Sequence, residues 1–106
     1  MRAAIVVAAG NSQRMGFDKL TADLGGRPLF IRTLERFENC PEVDEIVLVA
    51  NEERIKPFGN LVGEYGLKKV AAVVTGGADR QSSVWKGLGA LSEDAELVAV
   101  HDGASL

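Results

Sequence analysis

Short, continuously apolar runs alternate along this chain with longer amphipathic stretches. Residues 3–8, AIVVAA, are apolar throughout with β-branched residues in the middle, the pattern of a strand buried on both faces. Residues 45–50 (EIVLVA), 70–74 and 96–100 repeat that pattern. Between the first two runs, 21–24 reads as a short extended piece before a turn at Gly25 and Gly26, and Pro28 suits a first helical turn. Leu29, Phe30, Thr33, Leu34 and Phe37 then recur at helical spacing until Pro41 stops the helix. Asn51 is a natural N-cap followed by Glu52 and Glu53. Pro57 and Gly59 predict that this second helix is short or broken, with one further turn over 60–65 ended by Gly66. The third helix is expected over 79–91, with Val84, Leu88 and Leu91 on its apolar face.

Buried-type strands alternating with helices predict an α/β fold, a doubly wound, Rossmann-like parallel sheet joined by right-handed crossovers. The expected strand order is third, second, first, fourth, which leaves the fourth strand at an edge. Ligands of such sheets bind beyond the carboxyl ends of the strands. Three of the four strand ends carry unusual residues: the stretch from Gly10 onward, Gly76 with Gly77, and His101-Asp102-Gly103.

Composition bounds the chemistry. The 106 residues, 46% hydrophobic and 25% charged, are ordinary for a globular chain, so disorder is excluded and residues 1–106 read as one domain or part of one. A chain this size can bury about 65% of its surface, enough for a core without staples. No apolar run approaches the roughly 20 residues of a membrane span, and the 3–9 run is too short for a secretory leader. One cysteine, Cys40, and one histidine, His101, leave no internal disulfide and no Cys/His zinc cluster. This usage suits a reducing cytoplasm. The net charge of −3 gives no general attraction to nucleic acid or anionic membrane. The charge is uneven, however. Residues 1–36 carry six Lys/Arg against three Asp/Glu, whereas 37–106 carry six against twelve, so an anion site belongs in the first third.

Three motifs carry candidate chemistry. In AAGNSQRMGFDK, residues 8–19, the small Ala8, Ala9 and Gly10 admit a ligand close to the backbone, and the loop amides, with Asn11 and Ser12, suit phosphate oxygens. Arg14 and Lys19 add two cations, which match a nucleoside triphosphate carrying Mg²⁺. The plainer reading is a polar β–α connection. The glycine spacing fails both the dinucleotide fingerprint and the Walker A pattern. In TGGADRQSSV, residues 75–84, Gly76, Gly77 and Ala78 can present backbone groups to a base, Arg80 can reach a phosphate and Ser83 lies one turn into a helix. The plainer reading is a glycine turn with Asp79 as helix cap and Arg80 as a surface cation. In VHDGA, residues 100–104, Asp102 stands at a strand tip, suited to Mg²⁺ carried by phosphates, while His101 orients the loop.

Together these motifs resemble the sugar-phosphate nucleotidyltransferases, and the pairing of GGADRQSSV with HDGA resembles the 2-C-methyl-D-erythritol 4-phosphate cytidylyltransferase family over the whole chain. The resemblance implies transfer of CMP from CTP to a sugar-alcohol phosphate with loss of pyrophosphate, in non-mevalonate isoprenoid synthesis. By it, Arg14 and Lys19 are the catalytic cations and Asp102 the Mg²⁺-associated carboxylate. Ala8, Ala9, Gly77, Ala78 and Ser83 recognise cytosine, and Gly103 lies by the ribose with Ala104 beyond it. It also implies a cytoplasmic, homodimeric parent with neither nucleic-acid nor membrane partners. Ser12 replaces a frequent glycine and Ala78 a frequent acidic residue of the family. The family pattern HD-x-A-R-P gives way here to Ser105-Leu106. Residues 1–106 are therefore expected to be the N-terminal, nucleotide-binding part of a longer enzyme, inactive alone and liable to self-associate. Ribitol-5-phosphate cytidylyltransferases share all three motifs, and molybdenum-cofactor guanylyltransferases share the first. A non-catalytic nucleotide-binding module is the reading from another class, and a receiver domain lacks its acidic cluster at the first strand's end.

Overall fold

The computed structural model describes residues 1–9, 23–24 and 27–103. Among the described residues, four of six strands form one parallel sheet: β1 (Arg2–Ala8), β4 (Glu45–Ala50), β5 (Val70–Thr75) and β6 (Glu96–Asp102), in the order β5-β4-β1-β6. β2 (Asp23–Leu24) and β3 (Arg27–Pro28) pair antiparallel outside that sheet. The expected strand order holds, and so does the expected edge position of the fourth long strand. β1 and β4 run in register from Ala3↔Glu45 to Ala8↔Ala50. The pairings of β1 with β6 and of β4 with β5 each slip by one residue, at Val98 and Ala71, before reaching the carboxyl ends. Ala8, Ala50, Thr75 and Asp102 therefore finish the four strands on one side of the molecule.

The sheet carries a core on each face, because side chains alternate along a strand. Ala4, Val6 and Ala8 of β1 join Ile46, Leu48 and Ala50 of β4 on one face. α1 (Leu29–Glu38) and α2 (Ile55–Glu64) cover that face with Phe30, Ile31, Leu34, Phe58 and Val62. The Phe30 and Phe58 rings stack 3.9 Å apart. On the other face Ile5, Val7, Val47 and Val49 meet Val84 of α3 (Arg80–Gly89) and Ala90 and Leu91 just beyond it. Two crossovers step one way across the sheet and the third steps back, so right-handed connections set α3 opposite α1 and α2.

Four local expectations change. Pro28 caps α1 in an extended conformation (φ −59°, ψ 147°) instead of opening its first turn. Asn51 precedes a 3₁₀ turn over Glu52–Arg54 and makes no side-chain capping bond. α2 is continuous, since Pro57 is only its third residue, where a missing N–H costs no helical hydrogen bond. Gly66 (φ +65°) ends α2 as expected. Its N–H bonds Gly63 O and that of Leu67 bonds Val62 O, which satisfies two last-turn carbonyls. α3 is the fourth case. Its fully buried residues are Ser83 and Gly87, with Val84 half-buried beside them, while Leu88 is turned outward beside Trp85, itself 74% exposed. At Gly87 a Cβ would stand 3.0 Å from Ile5 Cγ2 and 3.1 Å from Val49 Cγ2, so the helix backbone rests on the strands.

At the amino end of the sheet, buried Glu45 accepts hydrogen bonds from the Ser92 hydroxyl (2.7 Å) and amide (3.2 Å). This ties the α3–β6 connection to β4, far from the carboxyl ends.

Candidate functional site

The strand order reverses between β1 and β6. Their carboxyl ends open a crevice there, the topological switch point at which open α/β sheets take ligands. A cavity of about 220 Å³ occupies it, lined by Val7, Ala9, Gly77, Ala78, Asp79, Arg80, Ser83 and Asp102. Six of these eight are residues that the motifs single out. They come from three chain segments, residues 7–9, 77–83 and 102, brought together only by the crossovers.

Each wall has a local cause. β1 supplies Val7, and Ala9, the residue just past the strand's end, packs on the same side as Val7. β5 is followed by Gly76 and Gly77, at whose positions side chains do not fit. A Cβ at Gly76 would lie 2.7 Å from both Ala9 Cβ and Ser83 Oγ, and one at Gly77 would overlap Ser82 Oγ. The turn is held by hydrogen bonds from Gly76 N–H to Ala50 O (2.9 Å) and from Gly77 N–H to Ser83 Oγ (3.1 Å). Asp79 caps α3. Its carboxylate accepts the Ser82 amide (2.8 Å), and Ser82 Oγ accepts the Asp79 amide (3.1 Å), a reciprocal capping box. The Ser82 amide, and after it the Ser82 hydroxyl, holds the Asp79 carboxyl below its ordinary pKa. Arg80 opens the helix at the exposed rim, while Ser83 is almost fully buried.

The other motif residues fall as follows. Ala8 is turned into the α1–α2 core, and Gly76 lies beneath the turn, outside the cavity lining. Gly103 is buried in the turn after β6. Its N–H bonds Val7 O (2.8 Å) and its carbonyl accepts the Thr33 hydroxyl (3.3 Å). His101 points to the α1 side, edge-on to Phe37 with ring centroids 5.6 Å apart, and its Nδ1 lies 2.8 Å from Asp102 O. Gly10, Asn11, Ser12, Arg14, Lys19 and Ala104 lie outside the described residues.

Val7 and Asp79 are lining residues that the motif reading did not select. Strand alternation from Ala9 marks Val7, whereas Asp79 reads as a cap and nothing more. Thr33, which supports Gly103 from α1, leaves no signal beyond its helical spacing.

The chemistry of the donors suits a hydrated Mg²⁺ brought in by phosphates. Asp102 offers one carboxylate at the cavity, and no cluster of three His, Cys, Asp or Glu exists among the described residues. Mg²⁺ held by one carboxylate plus substrate phosphates needs no protein cage.

A doubly wound sheet with a cavity at its switch point and a Gly-Gly turn on the cavity wall defines an α/β domain of the nucleotidyltransferase type. The model of the family IspD, 2-C-methyl-D-erythritol 4-phosphate cytidylyltransferase, matches residues 2–106. The chain belongs to that family, with the fold of its N-terminal portion. A 2-C-methyl-D-erythritol 4-phosphate cytidylyltransferase of Dehalococcoides mccartyi is 48% identical over 102 residues, 95% of this chain and 44% of the relative. Among solved structures, 4-diphosphocytidyl-2C-methyl-D-erythritol synthase of Anaerococcus prevotii superposes with a TM-score of 0.77 at 30% identity, covering 96% of this chain and 42% of that one. The 2-C-methyl-D-erythritol 4-phosphate cytidylyltransferase of Francisella tularensis gives 0.71 at 28% identity, over 97% and 44%. The chain thus spans less than half the length of each of these three relatives. No helix among the described residues is long and apolar enough to cross a membrane.

Proposed function

We propose that this protein serves the transfer of CMP from CTP to 2-C-methyl-D-erythritol 4-phosphate, in the non-mevalonate route to isoprenoids. An oxygen of the acceptor phosphate attacks the α-phosphorus of CTP, the new P–O bond forms, and the bond to the β-phosphate breaks to release pyrophosphate. The observation that carries this reading is the meeting of Ala9, Gly77, Ala78, Arg80, Ser83 and Asp102 at one switch-point cavity in a chain of this family.

In this reading Ala9, Gly77 and Ala78 meet cytosine through backbone groups. Ser83 Oγ already accepts the Gly77 amide, which leaves the hydroxyl proton for an acceptor on the base. Arg14 and Lys19 hold the triphosphate and stabilise the charge that builds on the transferring phosphoryl group, which is how enzymes chiefly speed phosphoryl and nucleotidyl transfer. Asp102 holds Mg²⁺, which when bound neutralises phosphate charge. Gly103 and Ala104 border the ribose. The setting is cytoplasmic, because both substrates are membrane-impermeant anions, and the full-length enzyme is a homodimer. Residues 1–106 hold the nucleotide and do not by themselves complete the transfer.

A thermal-shift panel of CTP, UTP, GTP and ATP, each with and without Mg²⁺, tests this reading. CTP at about 100 times its Kd stabilises by about 2.7 kcal/mol. A shift with CTP alone, lost in Arg14→Ala and Asp102→Ala, is the expected result. A shift with GTP alone would replace cytidylyl by guanylyl transfer. No shift with any nucleotide would remove the claim that these residues hold the nucleotide unaided. Release of pyrophosphate by the 106-residue chain with both substrates would overturn the claim that it does not complete the transfer.

A further inference from the structure

Two adjacent serines of α3 seat the two adjacent glycines before it. Ser83 lies beneath Gly76 and accepts the Gly77 amide. Ser82 lies against Gly77, its Oγ and Cβ overlapping the place where a Gly77 Cβ would stand. Ser83 lines the cavity and Ser82 does not. Ser82 is instead locked from behind. Its Oγ accepts the Asp79 amide at 3.1 Å and lies 2.8 Å from Asp79 Oδ1, which also accepts the Ser82 amide at 2.8 Å. Asp79 closes this ring while standing on the cavity wall between Ala78 and Arg80. The helix behind the ring is seated on β1 and β4 through buried Ser83 and Gly87, so the ring has a fixed base.

We propose that Asp79 and Ser82 are positioning residues for nucleotide recognition, a clamp that fixes the Gly77–Ala78 wall in the form a bound base meets. The proposal rests on the functional reading above and extends it to two residues outside the expected contact set. A helix cap alone would stabilise α3 and leave affinity untouched. The clamp differs because the serine it holds is the one pressed against Gly77. Without the ring, Ser82 is free to change rotamer and the turn loses its support.

The test uses the 106-residue chain and four variants: Asp79→Ala, Ser82→Ala, Asp79→Asn and, as a control at the opposite end of the sheet, Ser92→Ala. Amide hydrogen exchange at Gly77 and Kd for CTP with Mg²⁺ are measured in each. Asp79→Ala and Ser82→Ala are expected to speed Gly77 exchange and raise Kd by about ten-fold each. Asp79→Asn, which keeps a capping oxygen, stays within about two-fold of the parent on both readouts. Ser92→Ala lowers melting temperature and changes neither. Unchanged Gly77 exchange in both alanine variants overturns the clamp whatever happens to binding. So does faster exchange with an unchanged Kd, or an equal effect in Ser92→Ala. If the parent chain binds no CTP, the claim that residues 1–106 hold the nucleotide unaided fails, and the exchange measurements alone decide whether the clamp holds the turn.

Discussion

Asp79 shows how much one side chain depends on its neighbours. Its folded pKa lies below the unfolded one, so the carboxylate contributes stability that is complete above the ordinary Asp value, about 3.9. That contribution fades as pH falls through the lower folded value. Asparagine caps equally well without titrating. The parent and Asp79→Asn are therefore expected to be equally stable above about pH 5, and the parent to fall below Asp79→Asn as the pH drops below about 4, as read by urea titrations across that range. Phe58 is the opposite kind of residue, fully apolar, 2% exposed and stacked on Phe30. Phe58→Ala is expected to cost about 3–5 kcal/mol in the same titrations, since the ring leaves a cavity between α2 and α1 that the sheet cannot close.

At the scale of elements, α2 and α3 use glycine in opposite ways. Gly59 and Gly63 of α2 have open space where a Cβ would stand. Alanine there adds helix propensity without a clash, so Gly59→Ala and Gly63→Ala should each stabilise by about 0.5–1 kcal/mol. Gly87 of α3 gains the same propensity, but its Cβ would press on the buried ends of Ile5 and Val49. Overpacking a filled core costs about 1–3 kcal/mol, so Gly87→Ala is expected to lower the melting temperature while the two α2 variants raise it. All three glycines read alike in the sequence. The helix periodicity of 79–91 marked Leu88 for the core, yet Gly87 is the residue at the sheet. A helix lying close on flat strands needs a small contact residue, and only the packing distance reveals which one.

At the scale of the whole molecule, β6 is an edge of the main sheet. It has no strand on its outer side among the described residues, and Leu97 and Val98 are 37% and 44% exposed. Unpaired N–H and C=O groups beside exposed apolar side chains recruit other strands. Concentrated solutions of the 106-residue chain are expected to show oligomers by light scattering, and Val98→Lys, which places a charge on that edge, is expected to return them to monomer. A monodisperse parent chain at high concentration would contradict this. The switch-point cavity lies at the carboxyl end of the same strand. Val98 stands at the register slip, four residues before Asp102, so the lysine variant is expected to leave CTP binding unchanged.

The sequence by itself determined the number, type and order of the main elements. Short apolar runs rich in β-branched residues and bounded by turn signals read as buried strands, and helical spacing between them reads as crossovers. It also marked six of the eight cavity residues, because small, polar or charged residues at strand tips contradict the burial pattern around them. Only the tertiary structure decided that Pro57 leaves α2 whole, that Asn51 makes no side-chain cap, and that Gly87 rather than Leu88 meets the sheet. It alone turned Ala8 away from the cavity and Val7 toward it, and made Asp79 part of a wall. The physical reason is one of range. Propensity and periodicity act over a few residues, whereas burial, close approach and the meeting of segments distant in the chain are settled only when the chain packs.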